Sequence, residues 1–158
     1  MKILRLLIIL LALTTVVWIK PTRCDAQGTW QTRLAQRVVP AVSGIQKFCI
    51  EKGKVECEVI EIDQNPPLLQ QGQVIGYVGI RQAEFLYFYL VVAESDDMIT
   101  EIYLFDSQNR LLGSGVEVRG GNFVVHKPEY TQKVFARIRM FKGSGHICRV
   151  VLAPVGSD

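Results

Sequence analysis

The chain lacks most of what simple enzyme chemistry asks for. It has two histidines in 158 residues, His126 and His146, and no C-x-x-C or H-x-x-x-H spacing that could assemble the three or four ligands zinc needs. The G-x-S-x-G frame of a nucleophile elbow is missing. Gly113-Ser-Gly115 and Gly143-Ser-Gly145 resemble it only superficially, and their glycine–serine content suits hairpin turns. There is no EF-hand spacing, no internal repeat and no low-complexity tract. Long apolar runs are missing too. The uncharged run Leu6 to Ile19 has fourteen residues, where a membrane-spanning helix needs about 20.

That run nevertheless marks the first part of the chain as different from the rest. Lys2 and Arg5 precede it, Lys20, Pro21 and Arg23 end it, and Cys24-Asp25-Ala26 places small residues at the −3 and −1 positions of a cleavage site. This layout predicts a signal peptide over residues 1–26 and a secreted or periplasmic protein. The alternative is an uncleaved leader acting as an N-terminal membrane anchor. The whole chain carries 18 Lys and Arg against 15 Asp and Glu. The leader holds Lys2, Arg5, Lys20, Arg23 and Asp25, so residues 27–158 carry 14 of each sign and no net charge. A nucleic-acid partner, which requires a clustered excess of base on the folded domain, is not expected. The remaining length suits one domain, residues 27–158, with its own core.

Three cysteines follow the leader, Cys49, Cys57 and Cys148, enough for one disulfide and one remaining thiol in an oxidising compartment. Cys49 and Cys57 flank the turn Glu51-Lys-Gly-Lys54, which predicts a bond between them; pairings of either with Cys148 are the alternatives. Cys148 alternates with Val150 and Leu152, as a buried strand residue would.

Residues 29–52 read as a helical segment. Thr29 is a candidate N-cap, and Trp30, Leu34, Val38, Ile45 and Phe48 recur every three to four residues. Pro40 predicts a kink or two shorter helices, and Gly53 a stop. From Val55 the period changes to two. Val55-Glu-Cys-Glu-Val59 alternates, and the parity slips at Ile60, predicting a bulge. Strand-like runs follow at Val74–Arg81, Phe85–Ala93, Ile99–Phe105, Leu111–Val118, Phe123–His126, Val134–Phe141 and Ile147–Leu152, separated by turn residues. Phe85–Val92 is apolar throughout, which predicts a central strand covered on both sides. Short strands without βαβ alternation predict a mainly β fold, an antiparallel β-sandwich of jelly-roll type over residues 55–154.

Several segments then fall into a familiar order: Gly72-Gln-Val-Ile-Gly-Tyr-Val78, Phe85-Leu-Tyr-Phe-Tyr-Leu-Val91, Ile102-Tyr-Leu-Phe-Asp-Ser-Gln-Asn-Arg-Leu-Leu112, Phe135-Ala-Arg-Ile-Arg139 and Gly143-Ser-Gly-His-Ile-Cys-Arg-Val-Val151. Over roughly residues 69–154 this resembles the bacterial pre-peptidase C-terminal domain. The resemblance implies a small secreted β-sandwich of the kind found beside exported hydrolases. Ala83-Glu84 stands where that family has an acidic pair, and Cys148 or a neighbour where it has a closing tyrosine.

The candidate sites come from the strand patterns. On Val134–Phe141, Val134, Ala136, Ile138 and Met140 form an apolar face, so Phe135, Arg137, Arg139 and Phe141 share the opposite one. Arginine forks suit carboxylate or sulfate, and aromatic rings suit sugar faces or guanidinium stacking. With Lys142, and with Lys133 and Arg149 as extensions, this predicts a binding patch for an acidic glycan or an acidic protein partner. A competing account pairs these arginines with Glu101 or Glu117 and packs the phenylalanines under the helix. The expected function is a non-catalytic binding or accessory module without a cofactor. The enzyme alternative is a small secreted hydrolase using Cys148 and His146, and another is a membrane-anchored structural protein with an uncleaved leader. Calcium is a further alternative, held by the turns Glu94-Ser-Asp-Asp97 and Asp106-Ser-Gln-Asn109 if the two adjoin.

Overall fold

A computed structural model describes residues 29–53 and 55–155, with the side chains of Glu117 and Val118 excepted. The leader expected over residues 1–26 lies outside the described residues. Among the latter, no helix is long and apolar enough to cross a membrane.

The first element is α1, Trp30–Phe48. The Thr29 hydroxyl accepts a hydrogen bond from the Thr32 backbone N–H at 3.4 Å, satisfying one of the free donors at the helix start. The expected division at Pro40 does not occur, and α1 runs through it as one helix. Pro40 lies on the exposed side, where water can satisfy the carbonyl that the proline leaves unbonded. The winding loosens instead at the end, in a π-helical turn over Cys49–Gly53. Cys49 there is joined to Cys57 at a Cα–Cα separation of 6.1 Å, while Cys148 is free and buried.

Nine strands follow: β1 Cys57–Ile62, β2 Leu68–Leu69, β3 Val74–Arg81, β4 Tyr87–Ala93, β5 Ile99–Phe105, β6 Leu111–Arg119, β7 Gly121–His126, β8 Gln132–Lys142 and β9 Gly145–Pro154. Two antiparallel sheets result, ordered β1-β9-β4-β7 and β3-β8-β5-β6, with β2 added to β9. The pairing is nested. The hairpin β5–β6 is flanked in sequence by β4 and β7, then β3 and β8, then β1 and β9, and each of these pairs is also paired in space. Rolling one long antiparallel hairpin into two sheets gives this order, which is that of a jelly roll. The bulge expected at Ile60 is present, since the β1–β9 register shifts between Val59 and Glu61.

The sandwich core lies between the sheets and includes Tyr89 and Val91 of β4, Ile102 and Leu104 of β5, and Ile138 and Met140 of β8. A second core lies on the outer side of the first sheet. Leu34 and Val38 of α1 cover Phe88, Leu90 and Val92 of β4 and Cys148, Val150 and Leu152 of β9. Every residue of β4 is therefore buried, as its unbroken apolar run requires. Polar contacts tie the helix down along its length. Trp30 stacks on His146 at 3.8 Å, Arg37 pairs with Asp96 and donates to the Gly120 carbonyl, and the Gln46 side chain donates to the Cys57 carbonyl.

The disulfide closes the C-terminal end of this attachment. Replacing Cys49 and Cys57 together with Ser is expected to lower stability by about 2–3 kcal/mol, the loop-closure value for so short a loop. Urea unfolding measures it, and an unchanged midpoint would mean that helix packing alone holds this corner.

Candidate functional site

Because α1 packs on the first sheet, no helix or strand among the described residues covers the outer face of β3-β8-β5-β6. The strand registers place its residues in rows that cross the sheet. Val78, Phe135, Phe105 and Leu111 form one row, and Gly76, Arg137, Tyr103 and Ser114 the next. Val74, Arg139 and Glu101 follow. At one end Ile99 is opposed by both Lys142 and Arg119, and at the other Ile80 is opposed by Lys133. A register shift between Ile99 and Thr100 leaves Phe141 as an extra residue on β8. Such a bulge breaks the alternation, and Phe141 and Lys142 are both exposed.

Period two on β8 thus holds as expected. Val134, Ala136, Ile138 and Met140 are buried, and Phe135, Arg137, Arg139 and Phe141 face outward. Phe135 is half-buried between neighbouring strands, while Arg137 and Arg139 are exposed. The phenylalanines do not pack under the helix, because the helix lies on the other sheet.

The two arginines differ. Arg139 lies 3.5 Å from Glu101, whose side chain is only 7% exposed, and Glu101 Oε2 has no hydrogen-bond partner. Arg139 also sits over the Phe141 ring at 5.7 Å. It neutralises a buried carboxylate, so the internal pairing account holds for this residue. Arg137 donates to the neutral Asn109 side-chain oxygen at 3.1 Å and lies over the Phe105 ring at 4.6 Å. Of these two, Arg137 is therefore the one with capacity for an outside anion.

Arg149 does not extend the patch. It belongs to β9 of the other sheet, pairs with Glu61 and Asp63, and lies over Tyr77 at 4.1 Å. Sequence reading missed the cluster to which it belongs, at the seam between the edge strands β1 and β3. Arg81, 4% exposed, reaches Glu61 at 2.7 Å and donates to the Tyr89 hydroxyl at 2.8 Å, and the Tyr77 hydroxyl donates to Asp63 at 2.8 Å. Burial, opposed by Arg81, pushes the Tyr89 hydroxyl up to about 12. A sequence signal existed in the lone charge ending the apolar run Val74–Ile80, but β3 shows no polar–apolar alternation to say that Arg81 points inward.

The Cys148 and His146 side chains both lie on the helix side of β9 but are engaged elsewhere. The Cys148 thiol donates to the Arg149 carbonyl at 3.8 Å, and burial pushes it up to about 12. The His146 ring stacks on Trp30 and its Nδ1 lies 3.3 Å from Glu94, which Arg33 also approaches. A buried, protonated thiol is a poor nucleophile.

The two acidic turns lie at opposite ends of β5, whose seven residues span about 20 Å, so they cannot hold one ion together. Asp106 instead accepts hydrogen bonds from the backbone N–H groups of Gln108 and Arg110 and from Arg110 Nε. These bonds, first that from the Arg110 backbone, hold its carboxyl below the usual range.

Comparison with known proteins adds little. No family model matches the chain, and no curated protein matches it. Among solved structures, the Macrobrachium rosenbergii nodavirus P-domain is similar at 11% identity, covering 68% of this chain and 97% of that one with a TM-score of 0.29.

Proposed function

We propose that this chain is an exported, non-catalytic binding or accessory module that holds an acidic ligand, a glycan or a protein surface, on the outer face of the β3-β8-β5-β6 sheet. One observation carries the reading. Among the described residues, the helix layer covers one sheet and leaves on the other an apolar face bearing exposed Arg137. Exposed apolar patches rimmed by polar groups are characteristic of interaction sites. The leader pattern and the resemblance to the pre-peptidase C-terminal domain support export and an accessory role, and a disulfide suits an oxidising compartment.

The arginines provide the test. Arg137→Ala is expected to leave stability within about 0.5 kcal/mol while lowering the salt needed for elution from immobilised heparin or polyglutamate. Arg139→Ala is expected to cost about 1–2 kcal/mol, because it leaves the buried Glu101 carboxylate uncompensated; the value is reduced for solvent screening of an arginine 47% exposed. Elution of Arg137→Ala at the parental salt concentration would sink the reading. Intact mass should place the N-terminus of exported material at or near Gln27, and material retaining residues 1–23 would make the leader an anchor.

A further inference from the structure

We infer that the occupant of this face is an extended segment of a partner protein, apolar and acidic in composition, that adds as a strand to the free edge of β3. The inference rests on the binding role assigned above to the outer face and names the class of ligand.

The composition of the face is the first argument. Val74, Val78, Ile80, Leu111 and Val116 are each between 53 and 65% exposed, and aliphatic side chains give no hydrogen bonds to sugar hydroxyls. The rings that could stack on a sugar are already in use. Arg137 lies over Phe105, Arg139 over Phe141, and Tyr103 stacks on Phe105 at 6.4 Å. Aromatic and arginine side chains on a face without an exposed acid in the described rows are what protein interfaces favour.

The edge is the second. β3 pairs with β8 through eight consecutive residues without a register shift, and its outward positions, Val74, Gly76, Val78 and Ile80, carry no charge and no proline. Sheet edges are ordinarily guarded by bulges, charges or proline. The other edges here have such devices. β1 has its bulge at Ile60 between Glu58 and Glu61, β6 has register shifts at two places, and the edge of β7 is approached by β6, whose Gly115 lies close to the Phe123 carbonyl. β3 is left as the edge without bulge or proline, its one charge, Arg81, lying at its end and paired inward with Glu61. Strand addition to such an edge draws affinity from main-chain hydrogen bonds and specificity from alternate side chains.

Charge supplies the third. The exposed charges in the described rows are Lys133, Arg137, Arg139, Lys142 and Arg119, all basic, and Glu101 is buried. Gly76, directly opposite Arg137, leaves open space over β3, since a Cβ there would meet nothing within 4 Å. A glutamate on the added strand beside Gly76 would meet Arg137 across this gap once the guanidinium turns from Phe105 and Asn109 toward β3. Interior strand glycines often mark such a close approach.

The test selects a phage-displayed random dodecapeptide library on the full chain and measures heparin and polygalacturonate binding in parallel. Peptides mixing acidic and apolar residues should be enriched, and their affinity should fall at least about tenfold in Arg137→Ala, in Val78→Thr/Ile80→Thr and in Gly76→Val. The last should melt at or above the parental temperature, since valine suits a strand better than glycine. Binding of the glycans that depends on Arg137 but not on Val78 and Ile80 would overturn the inference and keep the binding role. Failure of both panels to give an Arg137-dependent ligand would remove both. Self-association abolished by Val78→Thr/Ile80→Thr would assign the edge to a second copy and overturn the inference as well.

Discussion

Glu61→Leu is expected to lower stability by about 3–5 kcal/mol, the range for removing one partner of a buried ion pair. Arg81 is almost wholly buried, and Glu61 is its only carboxylate among the described residues. Its remaining contacts, the Tyr89 hydroxyl and the Ile80 carbonyl, are neutral. Arg149 is less affected because Asp63 still faces it. The cost therefore arises mainly from an uncompensated guanidinium at the β1–β3 seam. Replacing both members, Glu61→Leu with Arg81→Met, should restore most of the loss, because two apolar side chains remove the desolvation penalty along with the attraction. A double variant as unstable as the sum of the singles would show that the pair is not coupled.

The same pair predicts a pH dependence. Burial alone would raise the Glu61 carboxyl, but the hydrogen bonds and charges of Arg81 and Arg149 outweigh it and hold the group below its ordinary value. A carboxyl lower in the folded than in the unfolded chain contributes stability above its unfolded value, about 4.3, and loses that contribution as pH falls through the folded value. Melting temperature should therefore fall more steeply below about pH 4.3 in the parental protein than in the double variant.

The second large effect is expected at Ile102→Ala, about 3–4 kcal/mol by removal of a buried side chain and creation of a cavity. Ile102 is fully buried between the sheets and is flanked in its row by Ile138 and Gly115. Collapse from the glycine side is blocked. A Cβ on Gly115 would stand 2.1 Å from the Asn122 side-chain oxygen, so β6 is already pressed against β7. Urea unfolding should show the midpoint displaced with an unchanged slope. A loss under about 1 kcal/mol would mean that the two sheets can close over the gap.

The sequence spoke clearly where a local rule governs. Alternation on Val134–Phe141 placed each side chain on the correct face, the parity slip located the bulge at Ile60, and the unbroken apolar run marked β4 as a strand with two covered sides. Two kinds of information were not local. Which sheet the helix covers depends on how the hairpin rolls up, so Phe135 and Phe141 were as easily placed under α1 as away from it. The seam cluster joins residues such as Glu61 and Arg149, 88 positions apart, and nothing in either neighbourhood names the other. Arg139 and Arg137 looked equivalent in sequence, and only the position of Glu101 on the adjacent strand separates a structural arginine from an available one.

The nested pairing has a consequence for the order in which the molecule can be completed. Synthesis delivers α1, Cys49, Cys57 and β1 first, yet the surface on which they rest is built from β4 and β9, and β9 is the last strand to appear. β5 and β6 can meet as soon as both have emerged, since only a short turn separates them, and the ladder then extends outward. α1 and β1 must remain without their platform until β9 has been made. Pairings of such wide sequence separation form late and slowly. A nascent chain arrested before Gly145 would hold a formed hairpin at its centre and an apolar helix with nowhere to dock.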